Sequence, residues 1–372
     1  MSTSGFLRPQ LRAELTAAEA DAVEQVCPGV DVHHDAWRER AERHPIWGPV
    51  RSTHVGWARD EAMRRQGSSG GVISALADFL LRSGRVDFIA QNAARSNDPL
   101  GNEVQASRSR EDVLHAAGSR YGPAAPLQRI GEFLASGQRF AFVGKPCDVA
   151  ALRALARIDA RVGRQVPYAL SFMCAGVPSR AGTLAVLQRM GIDPGDLASF
   201  RYRGDGWPGS ALALTRDGRS ASMDYATSWG RILNRHLQFR CKICPDGTGE
   251  FADITCADAW YGKDGYPDFA ERDGRSLVLA RTDAGSSLLQ LALAEGAVVL
   301  EPLDLSEVAR MQPYQVTRKE MVLGRVLGAR LALGRAPRFR NLGLLRASLA
   351  ARPIPWLRSA VGTFRRAKGE AQ

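Results

Sequence analysis

Two consecutive strand–loop–helix units constrain this chain more than any other feature. Arg139 to Val143 is a short apolar run of strand length, Gly144-Lys145-Pro146-Cys147-Asp148 is a turn, and Val149 to Ile158 reads as a helix. Val166 to Met173 is the next strand, Cys174 to Pro178 the next turn, and Ser179 to Met190 the next helix, with Ser179 placed to cap it. Strands and helices alternating at this spacing predict an α/β fold with a strand-loop-helix sheet core. They also put both turns just past the carboxyl ends of strands, the edge where open sheets collect ligands. Beyond Gly191 the pattern changes to short strands and Gly-rich turns, which predicts an α+β C-terminal half.

The 372 residues suffice for about two domains of ordinary size. Hydrophobic residues at 45% and charged residues at 24% describe a globular protein and exclude a disordered one. No stretch approaches the roughly 18 apolar residues of a membrane span, and Met1 to Leu15 has no apolar signal region. The expectation is a cytoplasmic protein. The net charge of +11 is unevenly distributed: residues 321–372 hold eleven basic side chains and a single acid, Glu370. A basic tail on a nearly neutral body predicts a docking feature, with no nucleic-acid partner expected.

Six cysteines (Cys27, Cys147, Cys174, Cys241, Cys244 and Cys256) are too few for a disulfide scaffold in a chain of this length. Cys147 and Cys174 each follow a strand, and Cys241-Lys242-Ile243-Cys244 adds two thiols spaced to grip one centre, with Pro245 next. Four thiolates from three places can therefore converge. Zinc accepts such a set, but structural zinc ribbons usually show two close pairs and only one is present here. A thioredoxin-like pair would sit at a strand-to-helix turn, whereas Cys241 follows Arg231 to Phe239, which reads as helical. The pattern favours an iron–sulfur cluster, with a zinc-stabilised interaction protein as the alternative. A second feature is Gly67-Ser68-Ser69-Gly70-Gly71, which opens the helical run Val72 to Arg82 with Arg64 and Arg65 beside it. Clustered N–H groups and hydroxyls at a helix start are suited to phosphate, although the spacing is neither the P-loop nor the dinucleotide pattern. Gly118-Ser119-Arg120-Tyr121 offers a cation, hydroxyls and a ring that could stack on a flat ligand.

Five motifs occur in order: Gly67 to Gly71, Gly144-Lys145-Pro146-Cys147-Asp148, Cys174 to Pro178, Tyr202-Arg203-Gly204-Asp205-Gly206-Trp207, and Cys241 to Asp246 followed by Ala252-Asp253-Ile254. This series resembles the beta-subunit family of coenzyme F420 hydrogenases and dehydrogenases, from about Trp57 to Tyr314. The family also includes a hydroxymethyl chlorophyll reductase and a divinyl reductase of chlorophyll synthesis. The resemblance implies an FAD- and iron–sulfur-dependent oxidoreductase with an irregular iron–sulfur-binding region. It implies one 4Fe-4S cluster on Cys147, Cys174, Cys241 and Cys244. The flavin would lie at Gly67, Ser68, Ser69, Gly70, Gly71, Ser119, Arg120 and Tyr121. It implies domains over residues 57–160 and 161–320, between an N-terminal segment 1–56 and the basic tail 321–372.

The implied partners are a ferredoxin-like electron carrier or the deazaflavin coenzyme, and a flat small-molecule substrate such as a tetrapyrrole or a polysaccharide precursor. Lys145, Arg203 and Lys263 are the candidates to steady substrate anions. The tail would dock a ferredoxin, with an anionic membrane surface and plain solvation as the competing uses. The chain departs from many relatives in lacking a cysteine-rich ferredoxin-like segment near its start, of which Cys27-Pro28-Gly29 is a remnant. Cys27 is therefore expected to be a vestige or a buried thiol, and Cys256 to pack at a strand end.

Overall fold

The computed structural model describes residues 1–11, 13–34, 43–263 and 266–370. Its centre is an eight-stranded sheet built from β1 (Ser52–Ala58), β2 (Phe88–Arg95), β3 (Asp98–Ser107), β4 (Phe140–Gly144), β5 (Tyr168–Phe172), β6 (Ile254–Asp258), β7 (Ser276–Ala280) and β8 (Val298–Pro302), in spatial order β8-β1-β7-β6-β5-β4-β2-β3. The inner strands β2, β4, β5 and β6 are parallel, and the outer pairings are antiparallel. The α/β expectation is met. A three-stranded antiparallel sheet over Leu197–Arg201, Ala211–Thr215 and Ser220–Met223 supplies the α+β character beyond Gly191.

The sheet divides two cores. Ile89, Ala141, Val143 and Leu170 fall in one buried cluster, and Phe88, Ala90, Phe140, Phe142 and Ala169 in another. This is the period-2 alternation of strands covered on both faces, and it explains why β4 reads as an unbroken apolar run. On the first face lies α2 (Val72–Arg82), which buries Val72, Leu76, Phe79 and Leu80; on the second lies α3 (Pro146–Leu155), which buries Val149 and Leu152. An N-terminal helix, α1 (Ala17–Val26), is closed by a Thr16–Glu19 capping box, and α4 (Arg180–Met190) by the predicted Ser179 cap.

Three local differences from the sequence reading have identifiable causes. The helix after β4 begins at Pro146 rather than Val149, because proline is preorganised for a first helical turn and the Asp148 carboxylate accepts the Lys145 N–H at 3.0 Å. Cys147 therefore sits in a helix start, not a free turn. The run Arg231 to Phe239 is not one helix but a π-turn (Ser228–Ile232), a 3-10 turn (Leu233–His236) and a short helix (Phe239–Lys242). Pairing of Leu237 with Pro178, and of the His236 carbonyl with the Ser179 N–H at 3.0 Å, outcompetes the intrahelical bonds there.

The third difference concerns the basic tail, which is not an appendage. Helix α5 (Pro313–Leu333) runs through residue 320 without a break. It is followed by α6 (Leu344–Leu349) and α7 (Pro353–Glu370), both packed on α5. A Cβ at Gly328 would lie 2.3 Å from the Ala360 carbonyl oxygen, so α5 and α7 approach as closely as a small residue permits. Arg338–Arg340 forms a parallel pair with Asp31–His33, joining the tail to the N-terminal segment. Among the described residues, no helix is long and apolar enough to cross a membrane.

Candidate iron–sulfur and flavin sites

The parallel strands bring the cysteines to one sheet edge. β4 ends at Gly144, paired with Ser171 of β5, so Cys147 and Cys174 leave adjacent strands on the same side. The CxxC segment joins them: the Cys174 N–H donates to the Gly247 carbonyl at 2.8 Å, and the Val177 N–H approaches the Cys241 sulfur at 3.4 Å. All four cysteines are half-buried. Burial, then the neighbouring Cys241 and Cys244, push the Cys174 thiol up to about 12. Burial and Asp148 raise Cys147 well above its ordinary value, and burial and Cys244 raise Cys241. Thiols gathered this way ionise only when a bound cation replaces their protons. No group of three or more His, Cys, Asp or Glu among the described residues is arranged to hold a single metal ion. Four soft thiols with cations at their flanks are a donor set that suits iron–sulfur or zinc.

Two of those cations are arginines that the sequence reading missed. On α5, the Arg318 guanidinium donates to the Cys174 carbonyl at 2.9 Å and to the Cys241 carbonyl at 2.6 Å. Gln315 reaches the Cys174 carbonyl at 3.3 Å, Lys319 the Pro245 carbonyl at 3.0 Å and Arg325 the Lys242 carbonyl at 3.1 Å. Positions 315, 318, 319 and 325 share one helix face, so a single stripe of donors holds both the Cys174 and CxxC loops. Arg318 is buried with no carboxylate partner among the described residues, and its Nε is unpaired. Burial alone would lower its pKa, but Cys244, Tyr314, Cys174 and Cys241 outweigh burial and raise it. Arg240 is influenced in the same way by Cys147, Cys244, Cys241 and Cys27. Cys27 is half-buried at the end of α1, and Cys256 lies inside β6 in the apolar core, its thiol pushed up to about 12 by burial.

Below the clamp, a buried polar network fixes the turn after Cys244. The Asp246 carboxylate accepts the N–H groups of Thr248 at 3.0 Å, Gly249 at 2.7 Å and Glu250 at 3.0 Å. Glu250, its side chain fully buried, pairs with Lys319 and Arg43. A small cavity beside this turn is lined by Cys147, Arg240 and Cys244, with Pro28, Val32 and Phe339 from the two chain ends.

The Gly-Ser loop and the Ser119 segment also meet, since the Ser119 hydroxyl donates to the Ser68 hydroxyl at 2.7 Å. Ser69 donates to the Arg275 carbonyl at 2.9 Å, which ties the loop to the start of β7. Not every residue of the predicted flavin set is available. The Gly67 N–H goes to the Met63 carbonyl at 3.0 Å and the Gly70 N–H to the Ser276 hydroxyl at 2.9 Å, so these two donors serve the fold. Arg120 is likewise committed, donating to Asn102, Phe200, Pro99 and Gly101. Tyr121 packs its ring on Trp229 at 4.6 Å and accepts from Arg203 at 3.3 Å. A Cβ at Gly70 would stand 2.6 Å from the Gly56 carbonyl oxygen and 2.7 Å from the Ser276 nitrogen, backbone atoms that cannot turn aside. Gly70→Val is therefore expected to lower stability by about 3 kcal/mol, read as a fall in melting temperature of the protein without added flavin.

The three candidate cations divide. Lys145 lies at the cysteines, paired with Asp148 at 2.7 Å. Burial would depress its pKa, but Asp148 and the thiols of Cys147 and Cys174 raise it overall. Arg203 is not free to steady a substrate: it is 2% exposed, bound to both Asp258 oxygens at 2.9 and 2.7 Å and to the Pro208 carbonyl at 2.6 Å. It instead anchors an aromatic group in which Trp207 and Trp260 stack at 4.9 Å and Tyr225 lies under the guanidinium at 4.6 Å. Lys263 ends the short strand Tyr261–Lys263, and its side chain lies outside the described residues.

These features define an α/β protein with four cysteines at the carboxyl edge of its sheet and a Gly-Ser loop at a helix start. Residues 53–130 match the N-terminal region, and residues 137–306 the C-terminal region, of the coenzyme F420 hydrogenase/dehydrogenase beta subunit. The chain belongs to that family. It is 25% identical over 270 residues to the coenzyme F420-dependent sulfite reductase of Methanocaldococcus jannaschii, a match covering 68% of this chain and 38% of that enzyme. It is 23% identical over 252 residues to the coenzyme F420 hydrogenase subunit beta of Methanosarcina barkeri, covering 66% of this chain and 79% of that subunit. A chain of the F420-reducing NiFe hydrogenase complex of Methanosarcina barkeri shares the fold, with a TM-score of 0.61 and 19% identity over 80% of this chain and 98% of that one.

Proposed function

We propose that this protein is a flavin- and iron–sulfur-dependent oxidoreductase subunit. Cys147, Cys174, Cys241 and Cys244 would hold one 4Fe-4S cluster, and Ser68, Ser69, Gly71 and Ser119 would contact FAD. The carrying observation is the approach of four half-buried thiols to one another beside the buried Arg318 guanidinium, which has no carboxylate partner among the described residues, and the half-buried Arg240. When bound, a cluster exchanges single electrons and a flavin exchanges pairs, which lets hydride chemistry communicate with a one-electron carrier. The chain's own residues supply the positioning. Arg318 and Gln315 hold the Cys174 loop, Asp246 shapes the turn after Cys244, and Arg318, Arg240 and Lys145 supply positive charge around the thiolates.

The names of the relatives favour coenzyme F420 as the two-electron partner; a ferredoxin-like carrier would exchange the single electrons of a cluster. A flat substrate, whether deazaflavin, tetrapyrrole or polysaccharide precursor, would rest against Tyr261 and Phe269. Both rings are exposed, beside the Arg275 guanidinium 3.5 Å above Tyr261 and the Ser69 hydroxyl that binds the Arg275 backbone. Anaerobic purification tests the reading. About four irons and four sulfides per chain with one extractable FAD are expected. A colourless protein carrying one zinc would overturn it. Ser68→Ala combined with Ser119→Ala is expected to leave the melting profile and iron intact while reducing bound FAD at least tenfold.

A further inference from the structure

Independently of any cofactor, the C-terminal helices carry an exposed surface outside the cysteine and Gly-Ser sites. Helix α7 buries Ala360, Thr363 and Ala367 and lays Trp356 against Gly324 of α5. Its other side presents Ile354, Leu357 and Val361 at i, i+3 and i+7, a single exposed stripe, with Arg358, Arg365 and Lys368 beside it. On α6, Leu345 and Leu349 are 66% and 78% exposed one turn apart, and on α5 Leu331 is 69% exposed. Between Glu320 and Glu370 there is no acidic residue. Exposed aliphatic side chains interleaved with arginine, on a stretch with no acid between Glu320 and Glu370, are a poor match for water and a good one for the boundary between anionic headgroups and acyl chains.

We propose that α5, α6 and α7 seat this protein on an anionic membrane surface. The aliphatic side chains enter the headgroup boundary while Arg346, Arg352, Arg358, Arg365 and Lys368 meet lipid phosphates. A protein partner fits these residues less well, because protein interfaces concentrate Tyr, Trp, Phe and Met at their buried centre and under-use Leu and Val as anchors. Here the exposed large apolar residues after position 321 are all aliphatic, and Trp356, Phe339 and Phe364 are at least half-buried. The five charges of α7 between Arg358 and Glu370 keep it at the surface and out of the bilayer core.

Co-sedimentation of the full-length protein with vesicles tests this. Vesicles of phosphatidylcholine mixed with phosphatidylglycerol should bind it at least tenfold more tightly than phosphatidylcholine alone, with a steep loss at high salt. Arg346→Gln and Arg358→Gln should each weaken binding about fivefold, and Leu345→Glu with Leu357→Glu should abolish it, with unchanged melting temperatures throughout. Equal binding to both vesicle types, or to neither, overturns the proposal. So does binding that the leucine substitutions leave intact, which would show attraction by charge alone without entry of the aliphatic side chains. A dimer dispersed by those leucine substitutions, without vesicle binding, would assign the face to a second copy of the chain and overturn it equally.

Discussion

Serine at Cys147, Cys174, Cys241 or Cys244 is expected to strip most of the iron from the anaerobically purified protein. Each of these thiols is half-buried at one sheet edge, and each has its pKa raised or contributes to raising a neighbour's. A hydroxyl at any of the four is a much weaker ligand for iron, and three remaining thiolates leave one corner of a cubane open. The double variant Cys147→Ser, Cys174→Ser removes both strand-end ligands and should fall below a tenth of the wild-type iron and sulfide. The two other cysteines are the controls. Cys256→Ser should keep its iron but lose about 1–3 kcal/mol of stability, because its hydroxyl would enter the apolar core of β6. Cys27→Ser should keep both, since among the described residues Cys27 is linked to the site through Arg240. Full iron in the double variant sinks the ligand assignment.

The positions of those thiols could be read from the sequence because they follow from sheet topology. An apolar strand, a turn with cysteine, and a helix, repeated once, place Cys147 and Cys174 at the same edge whatever the packing details, and β4 and β5 are adjacent and parallel as required. The flavin set was less legible. Sequence shows that Gly67 to Gly71 is rich in N–H groups but not which of them the fold consumes, and Ser276 and Met63 take two. Arg203 failed for a related reason. A charged residue in a Gly-rich motif reads as an exposed anion holder until its partner is known, and Asp258 lies 55 residues away. The role of α5 was invisible for a third reason. Gln315, Arg318 and Lys319 form an ordinary polar helix face in sequence, and only the tertiary fold turns that face toward carbonyl groups.

Arg318→Met is expected to damage the site without touching a cysteine. Methionine keeps the length and packing of the arginine stem, so the change isolates the guanidinium. Its removal leaves the Cys241 carbonyl without this donor and the Cys174 carbonyl with only Gln315. Bonds from a charged donor contribute about 1.5–3 kcal/mol each, so losing two should cost about 3 kcal/mol or more and lower the melting temperature clearly. The charge itself matters as much. Arg318 is a buried cation whose pKa is raised by Cys244, Tyr314, Cys174 and Cys241, and such a charge is tolerated only where negative charge faces it, which thiolates holding the proposed cluster would supply. The predicted order of iron retention is therefore wild type, then Arg318→Lys, which keeps the charge and one carbonyl contact, then Arg318→Met. The reduction potential of the proposed cluster would fall in the same order, because withdrawing a nearby cation disfavours the more negative, reduced state. Melting temperature alone would move for a purely structural arginine; potential would not. An Arg318→Lys protein that matches wild type in melting and iron, beside an Arg318→Met protein of unchanged potential, would reduce α5 to a scaffold.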